Sequence, residues 1–355
     1  MSRVIESDFV RHSSMNPDRV NKLNIALMLV AAVAAFLIPF ELFLFSYAVL
    51  GPAHYLTEVS WLHDRHYFVK DRYDYRLLML LCLPIAIAFT PEAVHLMPNR
   101  DPILEPVLFM GFFGALAMNL AKGRAKLLAL AIIGLSALAL DANNGLRTFL
   151  LIYLPTIVHV FVFTAAFILY GAIRSRSASG IASLLVFMLC TASFFVFTPD
   201  SSNYLLSHYV RQSYVPFSDL NRHLIGLFGL GASKTWYDLF YTAGGLTVAR
   251  FVAFSYFYHY LNWFSKTSII KWDQISPARR NSIIVAWLAA LAVYAYDYRI
   301  GFVVLTLMSN IHVFLEFPLD HQTFLNIGRE FAGISGIRSV DTMPARARTA
   351  RAAAK

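Results

Sequence analysis

The sequence predicts an all-α protein: a polytopic helical membrane bundle of about ten transmembrane helices, with both termini in the cytoplasm. Three observations predict it. Of 355 residues, 58% are hydrophobic and only 14% charged, where soluble domains run near half and a quarter. The apolar residues gather in runs of about twenty, the length that crosses the hydrocarbon core of a bilayer. The Lys and Arg side chains lie between those runs. A transmembrane barrel needs short alternating segments instead.

Taken in order, residues 1–22 are polar and mixed in charge and form an expected cytoplasmic tail. Apolar residues then run from Leu23 to Leu62, too long for one span. Pro39 with Glu41 marks a turn and divides the run into helices at about 23–38 and 40–62. One kinked helix is the competing reading, since membrane helices tolerate proline. Further spans are expected at about 77–91, 103–121, 126–141, 148–172, 181–198, 246–265, 282–297 and 300–318. The transmembrane domain as a whole covers 23–339, and the Ala- and Arg-rich residues 340–355 are expected to be a disordered basic tail.

Charge placement tests the count through the excess of Lys and Arg in cytoplasmic loops. With the N-terminus inside, the inside loops hold Arg65, Lys70, Arg72 and Arg76, then Lys122, Arg124 and Lys126, then Arg174 and Arg176, then Lys266, Lys271, Arg279 and Arg280. The outside loops hold only Arg100, Arg147, Arg211, Arg222, Lys234 and Arg299. The net charge of +9 therefore reads as orientation in a multi-pass cell (inner) membrane, with the lipid bilayer as partner and no nucleic acid. Cys82 and Cys190 fall in apolar runs with no metal-type spacing and suggest no disulfide framework.

One outside segment is long, at about 199–245. Leu220, Leu224, Leu227 and Phe228 recur there at helical spacing, the pattern of an amphipathic helix lying in the interface. It is expected to rest on the surface, with a substrate lid as the alternative. Arg250, near the outer end of the eighth span, is expected to snorkel outward.

The stretch Gly51-Pro52-Ala53-His54-Tyr55-Leu56-Thr57-Glu58 places an imidazole and a carboxylate on one helix face inside an apolar run. Ionisable groups at membrane depth are costly, so they mark function. His54, His159, His259 and His312 all lie within spans that run from outside to inside. At 1.5 Å per residue they sit roughly 17–21 Å from the outer ends, within about one turn of each other. Four imidazoles at one level on neighbouring helices are placed to bind one metal ion in the bundle core. Taken singly, each also suits a hydrogen-bonded packing residue.

Glu58 and Glu316 each follow a histidine by one turn and are candidates for catalytic carboxylates, orienting the rings or accepting protons. Ligands of a second metal, and headgroup-level pairs with Arg65 or Arg329, are the other readings. Asn262, Tyr256 and Trp263, near His259 on a strongly aromatic span, are candidates for binding a long, flat, apolar substrate. His63, His66 and His321 are expected at the cytoplasmic face as solvated histidines, and His12, His95, His208 and His223 at the surface.

The plan of apolar spans with His54, His159, His259 and His312 resembles the Brp/Blh-type membrane carotenoid dioxygenases. The resemblance implies a helical membrane protein in which four transmembrane histidines hold a non-haem iron and a carotenoid is cleaved. That family takes two ligands from one helix four residues apart, whereas here each candidate has its own helix. The expectation is an integral-membrane, Fe(II)-dependent oxygenase acting on a lipophilic small molecule such as a carotenoid or lipid. A di-iron site, a b-type haem protein, and a metal-free proton-coupled transporter or lipid-handling protein are the alternatives.

Overall fold

A helix occupies every segment in which an apolar run predicts one. The computed structural model describes residues 17–69, 71, 73–88, 99, 101–139, 144–199, 204–266 and 275–334. The tail up to residue 16, the basic tail at 340–355, His12, His95 and the last residues of the third and fifth expected spans lie outside the described residues. Among those described there is no strand.

The helices are α1 (Pro17–Leu37), α2 (Pro39–Phe45) continued by π-helical Ser46–Leu50 into α3 (Gly51–Asp64), α4 (Asp74–Ala88), α5 (Asp101–Leu120) and α6 (Gly123–Leu138). Next come α7 (Asn144–Thr148), continued by π-helical Phe149–Phe163 into α8 (Thr164–Ser175), and α9 (Ala178–Val196). Three short helices follow, α10 (His208–Tyr214), α11 (Ser218–Leu227) and α12 (Trp236–Phe240). The chain closes with α13 (Ala243–Phe264), α14 (Pro277–Tyr296) and α15 (Tyr298–Ile334).

Among the described residues, five helical stretches are long and apolar enough to cross a membrane: Pro17–Leu37, Asp101–Leu120, Gly145–Ser175, Ala178–Val196 and Tyr298–Gly333. By length and composition they suggest a helical membrane protein. The remaining long helices are shorter or more polar: α4 has 15 residues and α6 has 16, and α13 carries Arg250, His259 and Asn262. Outward faces are rich in aliphatic side chains. Leu29, Val30 and Val33 on α1, Leu127, Leu128 and Leu135 on α6, and Leu185 and Leu189 on α9 are all exposed, a surface suited to hydrocarbon.

The helix starts are capped as their residues dictate. Ser177, Ser207, Thr242 and Ser276 each accept a hydrogen bond from a backbone N–H three residues on, replacing a bond the first helical turn cannot make. At Pro39 the preceding Ile38 leaves helical geometry, with φ −138° and ψ 58°, as a residue before proline tends to. The chain then reverses. Along α1, Asn24 accepts from Tyr258 and Ser265 at the end of α13, while Phe36 lies under Arg250 nearer its start. Along α2 and α3 the order inverts: Phe43 packs on Tyr256, and Thr57 accepts from Trp263. Two antiparallel helices are therefore the correct division of the Leu23–Leu62 run.

Three expectations change. The 199–245 segment packs more deeply than a surface loop, with one face buried and Leu205, Tyr209 and Tyr237 exposed. Tyr214, Phe217, Leu220, Leu224 and Phe240 are buried in the same core as Phe40, Phe43 and Tyr256, with Tyr214 edge-on to Phe40 at 4.8 Å between centroids. Leu227 and Phe228 face outward, as the far edge of that helix. Arg250 does not snorkel: it is 4% exposed, its guanidinium over Phe36 at 5.5 Å. The last helix runs sixteen residues past the expected end at 318, carrying Pro318 within it, so His321 is not solvated. It is buried, and its Nε2 meets the Phe112 carbonyl at 2.9 Å.

Close approach of α5 to α15 depends on Gly111. A Cβ there would stand 2.3 Å from the Phe314 ring, which is fully buried. Gly111→Ala is expected to cost about 1–3 kcal/mol by overpacking, read as a lowered midpoint of thermal unfolding in detergent. Gly134→Ala, where a Cβ meets nothing within 4 Å, is the control expected to leave the midpoint unchanged or raise it.

Candidate metal centre

Each of the four histidines comes from its own helix, and two come from distorted ones. The π-helical Ser46–Leu50 runs into Gly51-Pro52, two residues before His54. Phe149–Phe163 is π-helical throughout, with Pro155 four residues before His159. Proline has no N–H to donate to the preceding turn. A wider turn accommodates that loss, and such turns recur at functional sites because they rotate the side chains that follow. His259 and His312 lie on the regular α13 and α15.

The four rings form a closed ring of neighbours. Ring centroids are 4.7 Å apart for His54–His259, 5.1 Å for His259–His159, 5.0 Å for His159–His312 and 5.4 Å for His312–His54. The Nε2 atoms of His54 and His259 are 3.0 Å apart, and those of His159 and His312 are 3.2 Å apart. One ligand nitrogen each from His54, His159 and His312 fall within 4.8 Å of one another. The rings are 1%, 2%, 7% and 4% exposed in chain order.

Two imidazole nitrogens bound to one ion at about 2.1 Å stand roughly 3.0–3.4 Å apart for angles between square and tetrahedral. Both observed pairs fall in that interval. A ring–ring N–H···N hydrogen bond also suits it, so a further contact decides. His54 Nε2 meets Glu58 Oε2 at 3.0 Å as well as His259 Nε2 at 3.0 Å. A single ring nitrogen has one in-plane direction, holding either a proton or a lone pair. It cannot satisfy both neighbours, whereas a shared cation placed among them can. Four neutral nitrogens in a dry interior also suit a first-row metal by ligand type.

His259 Nδ1 lies 2.9 Å from the Thr164 hydroxyl. With its Nε2 turned to the centre, Nδ1–H donates to Thr164, the arrangement that fixes the orientation of a ligating ring. Thr164 is the first residue after the π-helical stretch that holds His159, so one distorted segment positions two of the four rings.

Glu58 and Glu316 are 1% and 4% exposed. Glu58 stands beside His54, and Glu316 Oε2 lies 3.2 Å from His159 Nδ1. The headgroup-level pairing is not observed: Arg65 covers Trp61 at 4.4 Å and Arg329 donates to Asn326. Trp263 stands edge-on to His54 at 5.4 Å, its indole N–H on Thr57. Tyr256 lies further out, against Phe43 and Tyr47. Asn262 is buried on the same helix. Tyr260 and Tyr55 add walls, at 5.1 Å from His54 and 5.4 Å from His312. His63 and His66 are exposed and apart from the centre.

Two participants were missed from sequence. Thr164 carries no signal beyond lying in a span. Asp320 does: it continues the four-residue stripe His312, Glu316, Asp320, and was passed over because the last span was ended at 318. No protein-family model, curated protein or solved structure matches the chain.

An ion held only by the folded state stabilises it by mass action. Chelator treatment is expected to lower the unfolding midpoint, and returning Fe(II) or Co(II) to restore it. The gain is roughly 3–4 kcal/mol when the free ion stands 100- to 1,000-fold above its Kd. An unchanged midpoint with and without chelator is the contrary result.

Proposed function

We propose that this chain is an integral-membrane, metal-dependent oxidoreductase with ten spans and both termini in the cytoplasm. His54, His159, His259 and His312 would hold a non-haem iron, and the substrate is a lipophilic molecule such as a carotenoid or lipid reaching the site from a cell (inner) membrane. The observation that carries the reading is the closed ring of imidazoles, with Nε2 pairs at 3.0 and 3.2 Å.

The ion pairs favour the alternation of spans. Asp64 meets Arg279 at 2.7 Å and Asp74 meets Lys126 at 2.7 Å, both between loops expected inside. Glu105, at the outer end of the fourth expected span, meets Arg147 of an outside loop at 2.8 Å. Such pairs join only loops on one face of the bundle.

When bound, iron supplies redox chemistry towards dioxygen that no side chain of this chain has. The protein's own residues do the rest. His259 is held by Thr164. Glu58 and Glu316 place carboxylate oxygens 3.0 and 3.2 Å from His54 and His159, where they would hold or release a proton near the reacting centre. Tyr55, Tyr260 and Trp263 exclude water and present flat apolar faces to a flat apolar substrate.

Haem is a poorer fit. Axial nitrogens on opposite sides of one iron stand about twice 2 Å apart, and spacings of 3.0 and 3.2 Å leave no room for a porphyrin plane between either pair. A proton-coupled transporter or lipid-handling protein is the competing class, and it requires no metal.

Metal counting on purified protein separates these readings. Wild type is expected to retain stoichiometric iron and to show no Soret band. His54→Ala and His259→Ala are expected to lose it, and Thr164→Val to bind it about 10- to 100-fold more weakly, as loss of a ring-orienting partner does. Absence of metal from wild type, or full retention in both histidine variants, removes the proposal.

A further inference from the structure

The four imidazoles do not account for all the buried chemistry. On α15, His312, Glu316 and Asp320 follow at four-residue intervals and share one face. Asp320 is 1% exposed, and neither of its carboxylate oxygens has a hydrogen-bond partner. Glu316 Oε2 and His159 Nδ1 approach to 3.2 Å without hydrogen-bond geometry, and both atoms are otherwise unpartnered. One ligand atom each from His159, Glu316 and Asp320 lie within 4.8 Å of one another. The Glu58 carboxylate abuts that of Glu316.

Among the described residues, no Lys or Arg forms an ion pair with Glu58, Glu316 or Asp320. Buried charge without a partner is strongly unfavourable, and buried carboxylates are found paired or on metals. The donor set here is two carboxylates and one imidazole, with a third carboxylate adjacent. It is harder than the four-imidazole set and suits a divalent ion of the manganese or ferrous kind.

We propose that His159, Glu316 and Asp320 hold a second divalent cation, with Glu58 at the boundary between it and the four-histidine centre. His159, deprotonated to imidazolate with its ring proton released to solvent, presents one ring nitrogen to each ion, so the two sites share a ligand and the centre is dinuclear. The proposal deepens the metal-centre reading and rests on it through His159. Asp320 belongs to the second site alone.

Cobalt counting tests it on the full-length chain. Protein stripped with chelator is titrated with Co(II), desalted and analysed for metal per chain. Wild type is expected to bind about two ions, Asp320→Asn about one, and His312→Ala to lose an ion while Asp320 is intact. One ion in wild type, unchanged in Asp320→Asn, overturns the second site and leaves the histidine site standing. No ion in wild type overturns both. Two ions in wild type and two in folded Asp320→Asn also overturn the site, and Asp320→Ala repeats the count where Asp320→Asn fails to fold.

Discussion

Desolvation is the constraint on which the rest of this structure depends. Four imidazoles and three carboxylates are buried at the centre of a helical bundle, where each polar atom without a partner costs on the order of 1–3 kcal/mol. Hydrocarbon outside the bundle offers no water to repair that loss. The side chains must therefore meet one another, and they do so in a closed ring, with one carboxylate against His54 and another against His159. A cation placed among them would draw on every lone pair that points inward.

The helices make the geometry possible by departing from regularity where the rings converge. Proline at 52 and at 155 removes a donor, and the chain responds with π-helical turns leading into His54 and around His159. Gly111 lets α5 approach Phe314, two residues from His312. At the opposite end, Gly244 and Gly245 admit the carbonyls of Leu230 and Asp238, where a Cβ would stand 2.2 Å from each. That contact seats the start of α13 against the α10–α12 segment. The glycine pair is thus a packing device and not a break in the helix.

Much of the plan was legible in the chain, and the parts that were not have physical causes. Apolar runs and charged loops located the helices, because span length follows from bilayer thickness and not from tertiary contacts. The reversal at Pro39 was legible because proline restricts the residue before it. Arg250 was misread: the usual tendency of a long basic side chain is outward, and the aromatic face of Phe36 outweighs it here. The 199–245 segment was misread because its composition, polar with scattered tyrosines, is that of a surface loop. Only the burial of Tyr214, Phe217 and Leu224 under one core shows otherwise. Asp320 is not legible because the apolar run ends at 318, sixteen residues before the helix does.

By itself the sequence determined the class: a helical membrane protein with four histidines and two carboxylates in apolar surroundings, on separate helices at similar depth. Tertiary structure decided that the rings meet. The pairs His54–His259 and His159–His312 join residues 205 and 153 positions apart, and their contact depends on how each helix is rotated about its axis. A helix buried on nearly every side, as α13 is, has no polar stripe to reveal that rotation. The packing of the aromatic core sets it, and with it which polar atoms share a centre.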